Sequence, residues 1–135
     1  MGTATEVFEV EHLDGTVILT PSIDLRELDF RAIESAAHDV FDSLEAEGWE
    51  NVILDFHRTD YYGTTALGFF VGLWKRVRSR GGRMAFCNVS RHETEVLRVT
   101  RLDRLWPICQ SRDEALTAVS RAPCVTAPTS AACCN

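Results

Sequence analysis

A chain of 135 residues with 45% hydrophobic and 25% charged side chains has the size and composition of one globular domain that buries a core without staples. Its net charge of −6 argues against nonspecific nucleic-acid binding, and no apolar run reaches the length of a membrane span. Five cysteines, an odd number without Cys-x-x-Cys spacing, argue against a disulfide framework or a zinc site; with no basic start followed by an apolar stretch, the expected address is the cytoplasm.

In chain order, residues 7–10 and 16–19 flank the turn pair Asp14-Gly15 and predict a β-hairpin or two paired strands, the second ended by Pro21. From Asp29 onward Phe30, Ile33, Ala37, Val40, Phe41 and Leu44 fall at helical spacing, and Gly48 closes that helix. Residues 52–56 (Val-Ile-Leu-Asp-Phe) read as a buried strand. A polar loop then leads through Gly63-Thr64-Thr65 into a second helix, about 65–79, apolar on most sides and rich in arginine at its end. Residues 83–89 predict a fourth strand. Ser90 with Glu93 forms a capping box for a third helix through Val96, Leu97 and Val99. Residues 105–109 contain Pro107 and predict an edge strand, and Ser111 with Glu114 opens a last helix over 112–119.

The order of elements predicts an α/β protein: a single small domain with a mixed, mostly parallel sheet of about four to five strands and helices packed on it. The domain occupies residues 1–120, and residues 121–135, rich in Ala, Pro, Thr, Ser and Cys, read as a flexible C-terminal tail. Cys87 and Cys109 stand in apolar runs and read as small buried hydrophobes. Charge is unevenly spread. Residues 1–60 carry 15 acids and 3 bases, a balance of −12, and residues 61–135 carry 5 and 11, a balance of +6. That asymmetry suits a protein partner, or simply solvates exposed helix faces.

The chemistry-bearing motifs are few. There is no phosphate loop, no GxGxxG, no HExxH and no GxSxG elbow, and His12, His38, His57 and His92 are scattered over different elements as solvated residues. No catalytic residue, metal ligand or cofactor site is expected. The exception is Thr64-Thr65, two hydroxyls delivered by a buried strand to the first turn of a helix. Unpaired backbone N–H groups and a partial positive charge there suit a cap, an anion or a phosphorylated hydroxyl. As a plain cap Thr64 contributes about 1 kcal/mol. As a modification site it would receive about −1.5 to −2 charges without disturbing the fold, while changing any interface built on that surface.

Four segments, in order and at matching spacing, make the chain resemble the STAS domain family, the bacterial anti-sigma factor antagonists and their relatives. They are Leu19-Thr20-Pro21-Ser22-Ile23-Asp24, the strand ending in Asp55, the strand from Gly81 to Val89, and the Leu-rich run from Val96 to Ile108. The resemblance implies a regulatory module without catalysis. It would bind an anti-sigma factor that is also a serine kinase, with no direct contact to nucleic acid or membrane, and phosphorylation at the start of helix two would break the complex. The family pattern Asp-Ser-Ser/Thr-Gly-Leu aligns with Gly63-Thr64-Thr65-Ala66-Leu67, which puts Thr64 at the phosphoacceptor position and makes Asp24, Gly63, Thr64, Thr65 and Ala66 the partner-binding residues. Two departures stand out: Gly63 replaces the family Asp, and Ala66 replaces the glycine. Asp55 reads as an acid that anchors its loop by accepting backbone N–H groups. The alternative reading is a STAS-like scaffold or sensor module without a phosphoswitch, docking constitutively or binding a small anion or nucleotide.

Overall fold

The computed structural model describes residues 3–4, 8–13, 15–22, 30–44, 48–59 and 64–120. Asp24, Asp60, Gly63 and the expected tail with Cys124, Cys133 and Cys134 lie outside the described residues.

The first two expected strands form the hairpin β2 (Phe8–Leu13) and β3 (Thr16–Pro21), antiparallel from Phe8↔Pro21 to Leu13↔Thr16. Gly15 takes the left-handed conformation that such a turn demands, at φ 82°, and its carbonyl accepts the N–H groups of Glu50 and Asn51 at 2.7 and 3.1 Å. The hairpin turn thereby fixes where β4 (Asn51–Asp55) begins. A two-residue β1 (Thr3–Ala4), too short to leave a pattern in the sequence, pairs with β2.

From β3 onward the sheet is parallel. Strand β4 lies beside β3, β5 (Met84–Cys87) beside β4, and the short edge strand β6 (Ile108–Cys109) beside β5. The spatial order is the order in the sequence, β1 to β6. The three parallel steps are joined by α1 (Phe30–Leu44), α2 (Thr64–Ser79) and α3 (Arg91–Val99). Crossovers of one hand, each stepping one strand in the same direction, put all three helices on one face. That face holds the main core: Val17, Leu19, Val52, Leu54, Met84 and Phe86 from the strands meet Ile33, Phe70, Leu73 and Leu97 from the helices. The alternate strand residues Ile18, Ile53, Ala85 and Cys87 point the other way and pack with Ala115 and Val119 of α4 (Arg112–Ser120), with Leu116 and Cys109 against them. Both faces are thus buried, which is why these strands read as unbroken apolar runs.

Under α2 the aromatic rings form one cluster. Phe86 touches Phe56, Phe70 and Trp106 with ring centroids 4.9, 5.1 and 4.9 Å apart, the Phe70 contact edge-on. Helix α2 ends in a Schellman turn: Gly81, at φ 82°, donates to the Arg78 carbonyl, and Gly82 donates to that of Val77. Gly82 also passes so close to the chain before β4 that an added Cβ would stand 1.7 Å from the Glu50 carbonyl oxygen.

The expected last strand is shorter than its apolar run suggests. Leu102–Arg104 wind into a 3₁₀ turn, Trp106 drops fully into the core, and only Ile108 and Cys109 pair with β5. Strand β5 likewise stops at Cys87, because Asn88 turns to φ 55°. Cys109 is half-buried rather than buried, since β6 forms the sheet's edge. Trp49, absent from the expected core, is 2% exposed and capped by the Arg80 guanidinium 4.1 Å above its ring. No described helix is long and apolar enough to cross a membrane.

Candidate functional site

The site is built where β4 ends. Asp55, its last residue, is 2% exposed, and its carboxylate is a hub. Oδ1 accepts from the His57 backbone N–H at 3.0 Å and from Asn88 Nδ2 at 3.0 Å, and it lies 2.9 Å from His57 Nδ1. Oδ2 accepts from Arg112 Nε at 3.1 Å and Nη2 at 3.0 Å. Arg112 in turn donates to Glu11 of β2 at 2.7 Å. One buried carboxylate therefore ties β4 to the loop ahead of α2, to the turn after β5 and to the first residue of α4. Burial by itself would push the carboxyl pKa up; the hydrogen bonds from Asn88 and His57, with the His57 charge, outweigh it and hold Asp55 below its ordinary 3.8.

The loop that follows is pinned at every described residue. Phe56 N–H donates to the Cys87 carbonyl at 3.0 Å, Arg58 pairs with Glu9, and Thr59 Oγ1 donates to Glu93 Oε2 at 3.2 Å. Glu93 is fully buried, and its other oxygen accepts the Ser90 N–H in the capping box of α3. The described part of the loop ahead of α2, residues 56–59, is held on one side by Asp55 and on the other by Glu93.

Helix α2 opens at Thr64, one residue earlier than expected, with Thr65 beside it in the first turn. The first turn holds no acidic side chain, so the helix dipole there is unopposed by any charge of its own. The side chains of Thr64 and Thr65 lie outside the described residues, as do Asp24 and Gly63. Ala66 is fully buried, packed in the main core, so this member of the expected partner-binding set sits beneath the surface. Further along, Phe69, Gly72 and Leu73 of α2 and Arg31, Glu34 and His38 of α1 border a groove of about 500 Å³.

Sequence reasoning took Asp55 as a loop anchor, and the His57 N–H bond agrees with that. It read His57 as an unattached surface residue, whereas the ring is half-exposed and sits against Asp55. It had no means of finding Asn88 or Arg112, which stand 33 and 57 residues from the carboxylate they serve. Cys87 lies beside this hub but is inert. Burial, with the Asp55 charge second, pushes its thiol up to about 12, so thiolate is scarce at neutral pH. Among the described residues no group of three or more His, Cys, Asp or Glu is placed to hold a metal ion.

Comparison with known proteins agrees with this architecture. The profile of the STAS domain matches residues 7–115. The anti-sigma F factor antagonist of Paenibacillus polymyxa is 26% identical over 109 residues, covering 81% of this chain and 91% of that protein. A crystal structure from Thermotoga maritima, described as a candidate anti-sigma factor antagonist, superposes with a TM-score of 0.73 at 27% identity, over 84% of this chain and 95% of that one. The anti-sigma factor antagonist SpoIIAA in its unphosphorylated form superposes at 0.67 over 82% and 93% of the two chains; at 19% identity this likeness shows the fold alone.

Proposed function

The chain belongs to the STAS domain family, and from that membership we propose that it is an anti-sigma factor antagonist-like switch. It binds an anti-sigma factor that is also a serine kinase, and phosphorylation of Thr64 releases the complex. The observation that carries this reading is the start of α2: Thr64 is its first residue, its first turn is free of acids, and His57 and Thr59 in the loop before it are held by Asp55 and Glu93. A phosphoryl group of about −1.5 to −2 charges is tolerated by the helix N-terminus but not by a partner seated over it. The docking face comprises Asp24, Gly63, Thr64 and Thr65, with Ala66 supporting it from the core. No catalytic step is assigned to the chain; its role is to dock and to be modified, in the cytoplasm.

The test uses the anti-sigma factor kinase captured from the source cell. With ATP, the wild-type mass should rise by one phosphoryl group, Thr64→Ala should lose that rise, and Thr64→Glu should lose kinase binding. Wild-type protein that binds the kinase yet is never modified would overturn the phosphoswitch. Gly63 favours that second reading, a constitutive STAS-like scaffold, because the carboxylate that the family places beside the acceptor hydroxyl is missing.

A further inference from the structure

A second concave site lies away from the start of α2, at the carboxyl end of β5 and β6. It is a cleft of about 500 Å³ between α3, the 3₁₀ turn and the residues that follow β6. The volume suits a small molecule. We infer that this cleft binds a small zwitterion, an α-amino acid with a short apolar side chain.

The inference rests on two opposite charges that share the cleft. Arg98 comes from α3 and Asp103 from the turn after it, and both line the cavity. Among the described residues neither side chain makes an ion pair or a hydrogen bond, and the two are not paired with each other. A guanidinium and a carboxylate left apart in one cleft are the complement of a ligand that carries a carboxylate and an ammonium group together. Other ligand classes fit less well. A simple anion gains from Arg98 but is repelled by Asp103. A metal ion finds one carboxylate and no cluster of ligands among the described residues.

The remaining lining sets the size and polarity of the ligand. Val89 and Ile108, both half-buried, offer an apolar wall for a short aliphatic side chain. Gln110 brings an amide whose side chain has no hydrogen bond among the described residues. Asn88 borders the same cleft while its Nδ2 donates to Asp55. A ligand seated there touches the residue that also helps to hold the hub under the loop into α2.

Titration of the ¹⁵N-labelled full chain with L-valine, N-acetyl-L-valine and L-valinamide, followed by amide shifts, tests this site. L-valine should give saturable shifts at Asn88, Arg98, Asp103 and Gln110. N-acetyl-L-valine lacks the ammonium and L-valinamide lacks the carboxylate, and each should bind about tenfold more weakly or worse, the scale of one lost charge-assisted hydrogen bond. Arg98→Gln and Asp103→Asn should each weaken L-valine by a similar factor. In Asp103→Asn the advantage of L-valine over its N-acetyl form should shrink, which a merely structural effect would not produce. No saturable shift with L-valine, equal binding of the analogues, or shifts confined to other parts of the fold would overturn the proposal.

Discussion

Asp55 shows how much one side chain carries here. It is buried, yet charged, because five donor contacts from three other segments replace its lost hydration. Asp55→Ala would leave the Arg112 guanidinium half-buried without one of its two carboxylate partners, and should cost about 3 kcal/mol in urea unfolding. The pH dependence has a definite sign. A carboxyl held below its ordinary 3.8 in the folded state stabilises the protein above that value, and this contribution is lost as pH falls through the lowered one. The stability gap between wild type and Asp55→Asn should therefore be widest near neutrality and close as the pH drops below 3.8; a gap that widens in acid would contradict it. The thiols differ in the same local terms. Cys87 is sealed with its pKa pushed up to about 12, and Cys109, raised by burial and then by Glu114, sits half-exposed at the edge. Under native alkylation, peptide mass mapping should show Cys109 labelled well before Cys87. Rapid labelling of Cys87 would contradict its burial.

The elements themselves were legible where their signals are local. The Ser90–Glu93 box is present in full, with Ser90 Oγ accepting the Glu93 N–H at 3.1 Å and Glu93 returning the bond. The Ser111–Glu114 pattern is also real, but Glu114 reaches past the cap to the Gln110 N–H at 2.9 Å. Ser90→Ala should cost about 1 kcal/mol. Gly82→Ala should cost more, above about 3 kcal/mol, because the new methyl meets a backbone carbonyl that cannot move without shifting β4. A drop in urea midpoint for Ser90→Ala equal to that for Gly82→Ala would refute this ranking. Nothing near Gly82 in the sequence announces that clash, since Glu50 is brought to it by the hairpin turn at Gly15. The run from Leu105 to Cys109 misled for a related reason: its apolar residues answer to the core under α2, which takes Trp106 inward, rather than to a strand.

At the scale of the molecule, the two faces of the sheet are unequally covered. Three helices share one face, and the other depends on α4, nine residues long and latched by Arg112 to Asp55 and Glu11. Every described core residue lies at or before Val119. Ending the chain after Ser120 should then move the melting temperature by less than about 2 °C, whereas ending it after Gln110 should expose Ile18, Ile53, Ala85 and Cys87 and abolish cooperative unfolding. A large loss from the shorter deletion would mean that the tail packs on the domain. The charge asymmetry between the halves is also partly used up inside the fold, since Glu11 of the acidic half is neutralised by Arg112 of the basic half.

From its amino acids alone this protein determined α1 to α4 and the strands β2 to β5, their order, both helix-capping patterns and the pair of threonines at the head of α2, while β1 and the true extent of β6 left no such signal. Each is set by neighbours within a few residues, through alternation, helical spacing and capping chemistry. Only the folded chain decided that Asp55 gathers Asn88 and Arg112, that Ala66 faces inward, and that Arg98 and Asp103 border one cleft. Those relations join residues far apart in sequence, and they exist only after parallel pairing and one-handed crossovers have fixed which strand ends meet.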